Sequence, residues 1–265
     1  MAAFRSIAVS DPRFESDNLR YITVRGENLK GRGDISVFVP PGGNYESLPI
    51  VLLLHGVYAS HWAWTHLAGV HLKAMAGIND GLLKPMVLVM PSDGMWGDGS
   101  GYMRHKDQNF EEWIMDDVIN AVTQSIKETS SNSALFIAGL SMGGYGALRL
   151  GAKYGNRIRA VSGLSSITDA RQLRDFSVDD LTGLMEENSA ELSVFDMMLK
   201  NRKVLAKIRF DCGTSDPLLE HNRVLHQQMQ TYNIPHTYQE FAGSHEWAYW
   251  EEHIMKTLFF FNEQL

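Results

Sequence analysis

Ala134-Leu135-Phe136-Ile137-Ala138-Gly139-Leu140-Ser141-Met142-Gly143-Gly144-Tyr145-Gly146-Ala147-Leu148 decides how the rest of the chain is read. The apolar, glycine-free run Ala134 to Ala138 has the length and composition of a buried strand, and the small-residue segment after Ser141 suits a closely packed helix. Between them a serine stands with Gly139 two residues before it and Gly143 two residues after. On such a sharp strand-to-helix turn the hydroxyl is pushed clear of the backbone, and side chains at the flanking glycines would crowd the turn. The helix start also turns its unpaired amides, Met142 first, toward any developing negative charge. A serine hydroxyl is a weak nucleophile until a base takes its proton and an oxyanion site stabilises the product. The motif therefore predicts partners elsewhere in the chain; the alternative reading is a tight turn without chemistry.

Working outward, Ile50-Val51-Leu52-Leu53-Leu54 is a continuous apolar run of the kind buried on both faces of a parallel sheet. Met86 to Met90, Leu135 to Ala138, Ile158 to Val161, Lys207 to Asp211 and Thr237 to Phe241 read as further strands, and Phe110 to Glu128 as one amphipathic helix. Leu19 to Val24 and Asp34 to Val39 precede them as an antiparallel N-terminal edge, stopped by Pro40-Pro41-Gly42-Gly43. Strands alternating with helices at this spacing predict an α/β fold: a mostly parallel central sheet with helices on both faces. No linker divides residues 1–265, so a single domain is expected. Residues Arg171 to Lys203 break the rhythm and read either as a small helical insertion or as a crossover helix pair.

Composition excludes several classes of function. The chain has 265 residues, 44% of them hydrophobic and 21% charged, which affords a sizeable core and argues against disorder. A net charge of −7 with no basic patch interleaved with aromatics argues against nucleic acid as a partner, and none is expected. No apolar run is long enough to span a membrane, and Met1-Ala2-Ala3-Phe4-Arg5-Ser6 lacks the apolar region of a secretory signal; a cytoplasmic location is expected. The single cysteine, Cys212, forms no intrachain disulfide and reads as a buried, inert thiol.

In an open α/β sheet the functional loops lie at the carboxyl ends of strands, and a serine of this kind is followed by its acid and then its histidine. Asp216 lies in Asp211-Cys212-Gly213-Thr214-Ser215-Asp216-Pro217, just past one strand. His245 lies in Gly243-Ser244-His245-Glu246-Trp247, past the last. Asp211 is the rival acid, and Asp216 could instead cap a helix beginning at Pro217. His221, His226, His236 and His253 fall on helical or pre-strand positions. After the first buried strand, His55-Gly56-Val57-Tyr58 offers a second oxyanion amide at Val57, with Gly56 allowing close approach and His55 orienting the loop. Gly56, Tyr58, Trp62, Trp96 and Trp247 are candidate substrate-binding residues, with Trp64 and Tyr102 as further aromatics near the pocket. The glycine-rich stretch Asp93 to Gly101 reads as a flexible loop near the site, since its spacing fails the helix–loop–helix calcium motif. His61, His66 and His71 are five apart, which suits no zinc site.

Together, Leu52-Leu53-Leu54-His55-Gly56, Gly139-Leu140-Ser141-Met142-Gly143-Gly144-Tyr145-Gly146-Ala147, Cys212-Gly213-Thr214-Ser215-Asp216 and Gly243-Ser244-His245-Glu246-Trp247 resemble the esterase family of the α/β-hydrolase superfamily. That family contains esterase D, S-formylglutathione hydrolase, the mycolyltransferases, and feruloyl and small acyl-ester esterases. The resemblance runs from about residue 35 to 254. It implies Ser141 as nucleophile, His245 as base and then acid, Asp216 as its orienting carboxylate, and the Val57 and Met142 amides as oxyanion donors. It further implies no metal or cofactor, and a homodimer as a candidate assembly. The expected substrate is a short-chain acyl ester, with acetylated or feruloylated sugars as candidates. S-formylglutathione hydrolase or another thioesterase, an acyltransferase, a serine peptidase, and a non-catalytic binding module on the same fold are the alternatives. The position of the only cysteine, beside the acid loop, weakens the glutathione thioester.

Overall fold

Residues 4–265 are described by the computed structural model; residues 1–3, part of the stretch read for a leader, lie outside it. The strands are β1 (Ser6–Val9), β2 (Leu19–Gly26), β3 (Gly31–Phe38), β4 (Ile50–Leu54), β5 (Val87–Pro91), β6 (Leu135–Leu140), β7 (Ala160–Leu164), β8 (Lys207–Gly213) and β9 (Thr237–Phe241). They form one nine-stranded sheet in the order β1-β2-β3-β5-β4-β6-β7-β8-β9. The pairs β1–β2, β2–β3 and β3–β5 are antiparallel, and every pair from β5 across to β9 is parallel. The architecture is that of the α/β-hydrolase fold.

The apolar runs are continuous because both faces of the sheet are covered. Ile50, Leu52 and Leu54 enter one core with Trp113, Tyr145 and Leu148, while Val51 and Leu53 enter the other with Trp64, Ile254 and Phe261. The first core is roofed by the helical stretch 110–125 and the helix Met142–Lys153, the second by Val70–Asn79 and Trp247–Asn262. No helix among the described residues is long and apolar enough to cross a membrane.

Two local expectations are corrected, and one strand, β1, had no counterpart among them. The helix expected over Phe110 to Glu128 contains a π-helical turn, Trp113–Val118, and ends at Ser125. There Ile126 turns to an extended ψ of 102°, and the Thr129 hydroxyl donates to the Ile126 carbonyl at 2.9 Å. The strand expected over Ile158 to Val161 runs instead from Ala160 to Leu164. Its glycine hid the end: a Cβ at Gly163 would meet Ser166 Oγ at 2.2 Å, so the position is set by close packing. β1 gave no burial signal, since all four of its residues are exposed and it is held by pairing with β2 alone. Between β7 and β8 the chain forms a 3-10 turn, Ala170–Asp175, and two short helices, Thr182–Glu187 and Val194–Lys200. Leu173, Leu181, Leu184, Met197 and Met198 tie this stretch to the first core.

Candidate active site

Ser141 sits between β6 and the helix Met142–Lys153 with φ 53° and ψ −119°, a backbone conformation that a non-glycine residue keeps only under tertiary constraint. Its N–H donates to the Leu164 carbonyl at 2.9 Å, and its own carbonyl accepts from Tyr145 N–H at 3.0 Å. The flanking glycines are required by backbone, not by flexibility. A Cβ at Gly139 would lie 2.2 Å from the Gly143 carbonyl oxygen, and one at Gly143 would lie 2.3 Å from the Leu54 carbonyl oxygen. The turn is thus wedged against the end of β4.

The loops after β8 and β9 bring the other two groups to this turn. Ser215 N–H donates to the Gly243 carbonyl at 2.9 Å, which joins the loops; Gly243 itself has φ 138°. His245 Nε2 lies 3.0 Å from Ser141 Oγ, and His245 Nδ1 lies 2.9 Å from Asp216 Oδ2. Asp216 Oδ1 accepts from Leu218 N–H at 2.8 Å. Burial pushes the Asp216 carboxyl up, but its hydrogen bonds to His245 and to the Leu218 amide outweigh burial and hold it below the usual carboxylate range. An ionised Asp216 only accepts, so Nδ1 of His245 carries the proton and Nε2 is left to accept from the serine hydroxyl. The rival, Asp211, is fully buried, accepts from Tyr249 OH at 2.7 Å and pairs with Arg209. Cys212 is also fully buried; burial and the nearby Asp216 and Asp211 push its thiol far up, which removes it from nucleophilic roles.

Opposite the serine, the loop after β4 approaches closely enough that a Cβ on Gly56 would meet Leu140 Cδ1 at 2.8 Å. His55 Nδ1 lies 2.6 Å from the Gly56 carbonyl, and the Asp93 N–H donates to His55 Nε2 at 3.0 Å. A carbonyl only accepts and an amide N–H only donates, so His55 is the neutral Nδ1–H tautomer. It holds the loop and has no free nitrogen for proton transfer. Tyr102 and Trp64, expected near the pocket, are instead buried supports: Tyr102 OH donates to the His55 carbonyl at 2.9 Å and Trp64 Nε1–H to the Leu54 carbonyl at 3.0 Å. Met142 opens its helix, so its N–H belongs to the first turn, which has no intrahelical acceptor.

Ser141 and His245 open into a cavity of about 460 Å³. Gly56, Tyr58, Trp62 and Trp247 line it. Trp96 does not. It lies between Gly94 (φ 100°) and Gly97 (φ 49°), whose turns carry it away to pack edge-on against His105, at 4.5 Å between ring centroids. The loop Asp93 to Gly101 is also more organised than expected, since the Asp93 carboxylate accepts from Met95 N–H at 2.9 Å and Ser100 N–H at 2.7 Å. Six lining residues escaped the sequence reading: Ala59, Leu67, Leu140, Phe176, Glu246 and Trp250. Phe176 stacks on His245 with centroids 5.6 Å apart, and Trp250 meets the same ring edge-on at 5.0 Å. Trp250 was findable, three residues past Trp247 on one helix; Phe176, in a polar segment, carried no signal. Among the described residues no three histidine, cysteine or acidic side chains are grouped to hold a metal ion.

The sheet order and the strand–turn–helix geometry at Ser141 are those of the α/β-hydrolase fold. Residues 26–261 match the family described as "Putative esterase", and the chain belongs to that family. An acetyl esterase of Caldicellulosiruptor saccharolyticus is 26% identical over 227 residues, covering 79% of this chain and 81% of that protein. Among solved structures, a ferulic acid esterase superposes with a TM-score of 0.81 at 21% identity, covering 93% of this chain and 98% of that one. An S-formylglutathione hydrolase of Staphylococcus aureus gives 0.77 at 18% identity, covering 96% and 98%. At these identities the superpositions speak for the fold alone.

Proposed function

We propose that the protein is a serine carboxylesterase that cleaves short-chain acyl esters of small alcohols through an acyl-enzyme, with acetylated or feruloylated sugars as candidate natural substrates. One observation carries the reading: the unbroken relay Ser141 Oγ, His245 Nε2, His245 Nδ1, Asp216 Oδ2 opening into an aromatic-lined cavity. In the proposed reaction Ser141 Oγ attacks the acyl carbon as His245 Nε2 takes its proton, and the Val57 and Met142 amides stabilise the oxyanion. His245 then gives that proton to the leaving oxygen, and the alcohol departs. A water enters, loses a proton to His245 and attacks the acyl carbon; the carboxylic acid leaves as Ser141 regains its proton. Asp216 keeps the imidazole in the Nδ1–H tautomer throughout.

A cavity of about 460 Å³ lies toward the small end of ligand sites, which favours a compact ester. The similarity to an acetyl esterase points the same way. The chain is read as one domain, since a single sheet carries all three groups of the relay. Ser141→Ala is expected to lower kcat on 4-nitrophenyl acetate by about 10³-fold or more and to abolish labelling by a fluorophosphonate probe. Near-unchanged turnover in that variant sinks the mechanism. Nitrophenyl esters of two to twelve acyl carbons, acetylated sugars and a glutathione thioester assayed side by side assign the acyl group and separate the ester from the thioester. Product analysis with an added acceptor alcohol separates hydrolysis from acyl transfer.

A further inference from the structure

The wall of the cavity beside His245 comes from a stretch of chain to which no motif gives a role. Phe176 lays its ring nearly flat on the imidazole, with 29° between the planes, and both residues line the cavity. The residues after Phe176 are tied to the loop that follows β5. Asp98 N–H donates to Asp179 Oδ2 at 2.6 Å, and Val178 N–H donates to Asp98 Oδ2 at 3.0 Å. The Ser177 hydroxyl lies 3.2 Å from each of these carboxylate oxygens and accepts from Asp179 N–H at 3.1 Å. Gly97 makes room, since a Cβ there would come within 2.1 Å of Asp179 Oδ2. Val178 is 97% exposed, so its own side chain gives this turn no apolar anchor and the polar contacts hold it. The carbonyl of Asp98 also accepts from Tyr58 N–H at 2.9 Å, one residue past Val57. A single loop residue therefore touches the oxyanion loop on one side and the Phe176 segment on the other.

We propose that Phe176 is a specificity-determining residue for the leaving group, and that the Asp98–Asp179 latch is the positioning device that keeps its ring on His245. The inference rests on the esterase reading above. The leaving oxygen must come within about 3 Å of His245 Nε2 to take its proton. The atoms attached to that oxygen are then within reach of a ring stacked on the same imidazole, whereas the carbonyl oxygen is directed to the Val57 and Met142 amides. A planar aromatic alcohol gains ring contact with Phe176, and a small alkyl alcohol gains little.

Acetate esters of ethanol, phenol and 2-naphthol, which share the acyl group and differ only in the alcohol, test this directly. Phe176→Ala is expected to lower the ratio of kcat/KM for naphthyl over ethyl acetate by about five- to tenfold, mainly through KM; Phe176→Tyr is expected to retain the ratio. Asp179→Ala should lower the same ratio, and the double variant should add little to Phe176→Ala alone, because both changes act through one ring. Ser177→Ala, which removes the hydroxyl between the two carboxylates, supplies the same readout where Asp179→Ala does not fold. A uniform loss across the three alcohols, additive effects in the double variant, or a change in acyl-length preference with the nitrophenyl series overturns the proposal. Ester hydrolysis that survives Ser141→Ala overturns the esterase reading first and this inference with it.

Discussion

Asp211 and Asp216 are five residues apart, and their surroundings separate them by role. Asp216 spends one oxygen on His245 and one on a backbone amide, and stays ionised well into acid. Asp211 is sealed with Arg209 and Tyr249 and lines no part of the cavity at Ser141. Asp216→Asn should therefore lower kcat by about 10⁴-fold through the wrong histidine tautomer, with a much smaller loss of stability than at Asp211. Asp211→Asn should do the reverse, costing about 3 kcal/mol or more in urea unfolding because Arg209 is left buried and unpaired, with kcat on 4-nitrophenyl acetate changed by less than about tenfold in the folded fraction. Equal kinetic losses in the two variants would show that the acid has been misassigned.

At the scale of an element, the turn at Ser141 and the π-turn Trp113–Val118 each carry a cost that the fold retains. Gly143→Ala drives a methyl into the Leu54 carbonyl, so it should cost about 3 kcal/mol or more and lower soluble yield. In the π-turn, Asp117 is buried with Oδ2 unpartnered among the described residues, and burial lifts its carboxyl to about 6. The sign follows from linkage: the folded state holds this proton above the pH at which the unfolded chain, near 3.9, releases it, so stability falls as pH rises from about 4 through 6. Asp117→Asn should then stabilise the protein by about 1–2 kcal/mol at pH 8, allowing for solvent screening, and by almost nothing at pH 4. Thermal unfolding at the two pH values measures the difference, and an equal effect at both would contradict the burial argument.

Across the whole molecule, the helix that begins at Ser141 is locked to distant parts of the chain by ions. Arg149 Nη2 lies 2.6 Å from both Glu111 and Glu191, and Lys153 Nζ lies 2.9 and 2.7 Å from the same two carboxylates. This joins the helical stretch 110–125, the helix Met142–Lys153 and the segment leading to Val194–Lys200. Arg149→Met leaves Glu111 buried with only Lys153 to balance it, and should cost about 3 kcal/mol in urea unfolding. Because Arg149 lies two turns beyond Ser141 and lines no part of the cavity, kcat below the melting transition should stay within about twofold.

The chain alone determined the parallel sheet, through its continuous apolar runs, and it ordered the relay, because serine, acid and histidine each follow a legible strand and carry glycines that mark a turn. The proposed oxyanion amides of Val57 and Met142 are nominated in the same way, by backbone position next to a motif. Tertiary structure alone decided whatever depends on direction. The positive φ at Gly94 and Gly97 turned Trp96 away from the cavity, while polar contacts from Asp98 brought Phe176 onto His245 across some seventy residues of sequence. Periodicity encodes which residues are buried and in what order the loops come; the direction in which a loop side chain points is set by contacts remote in sequence, and no local pattern carries it.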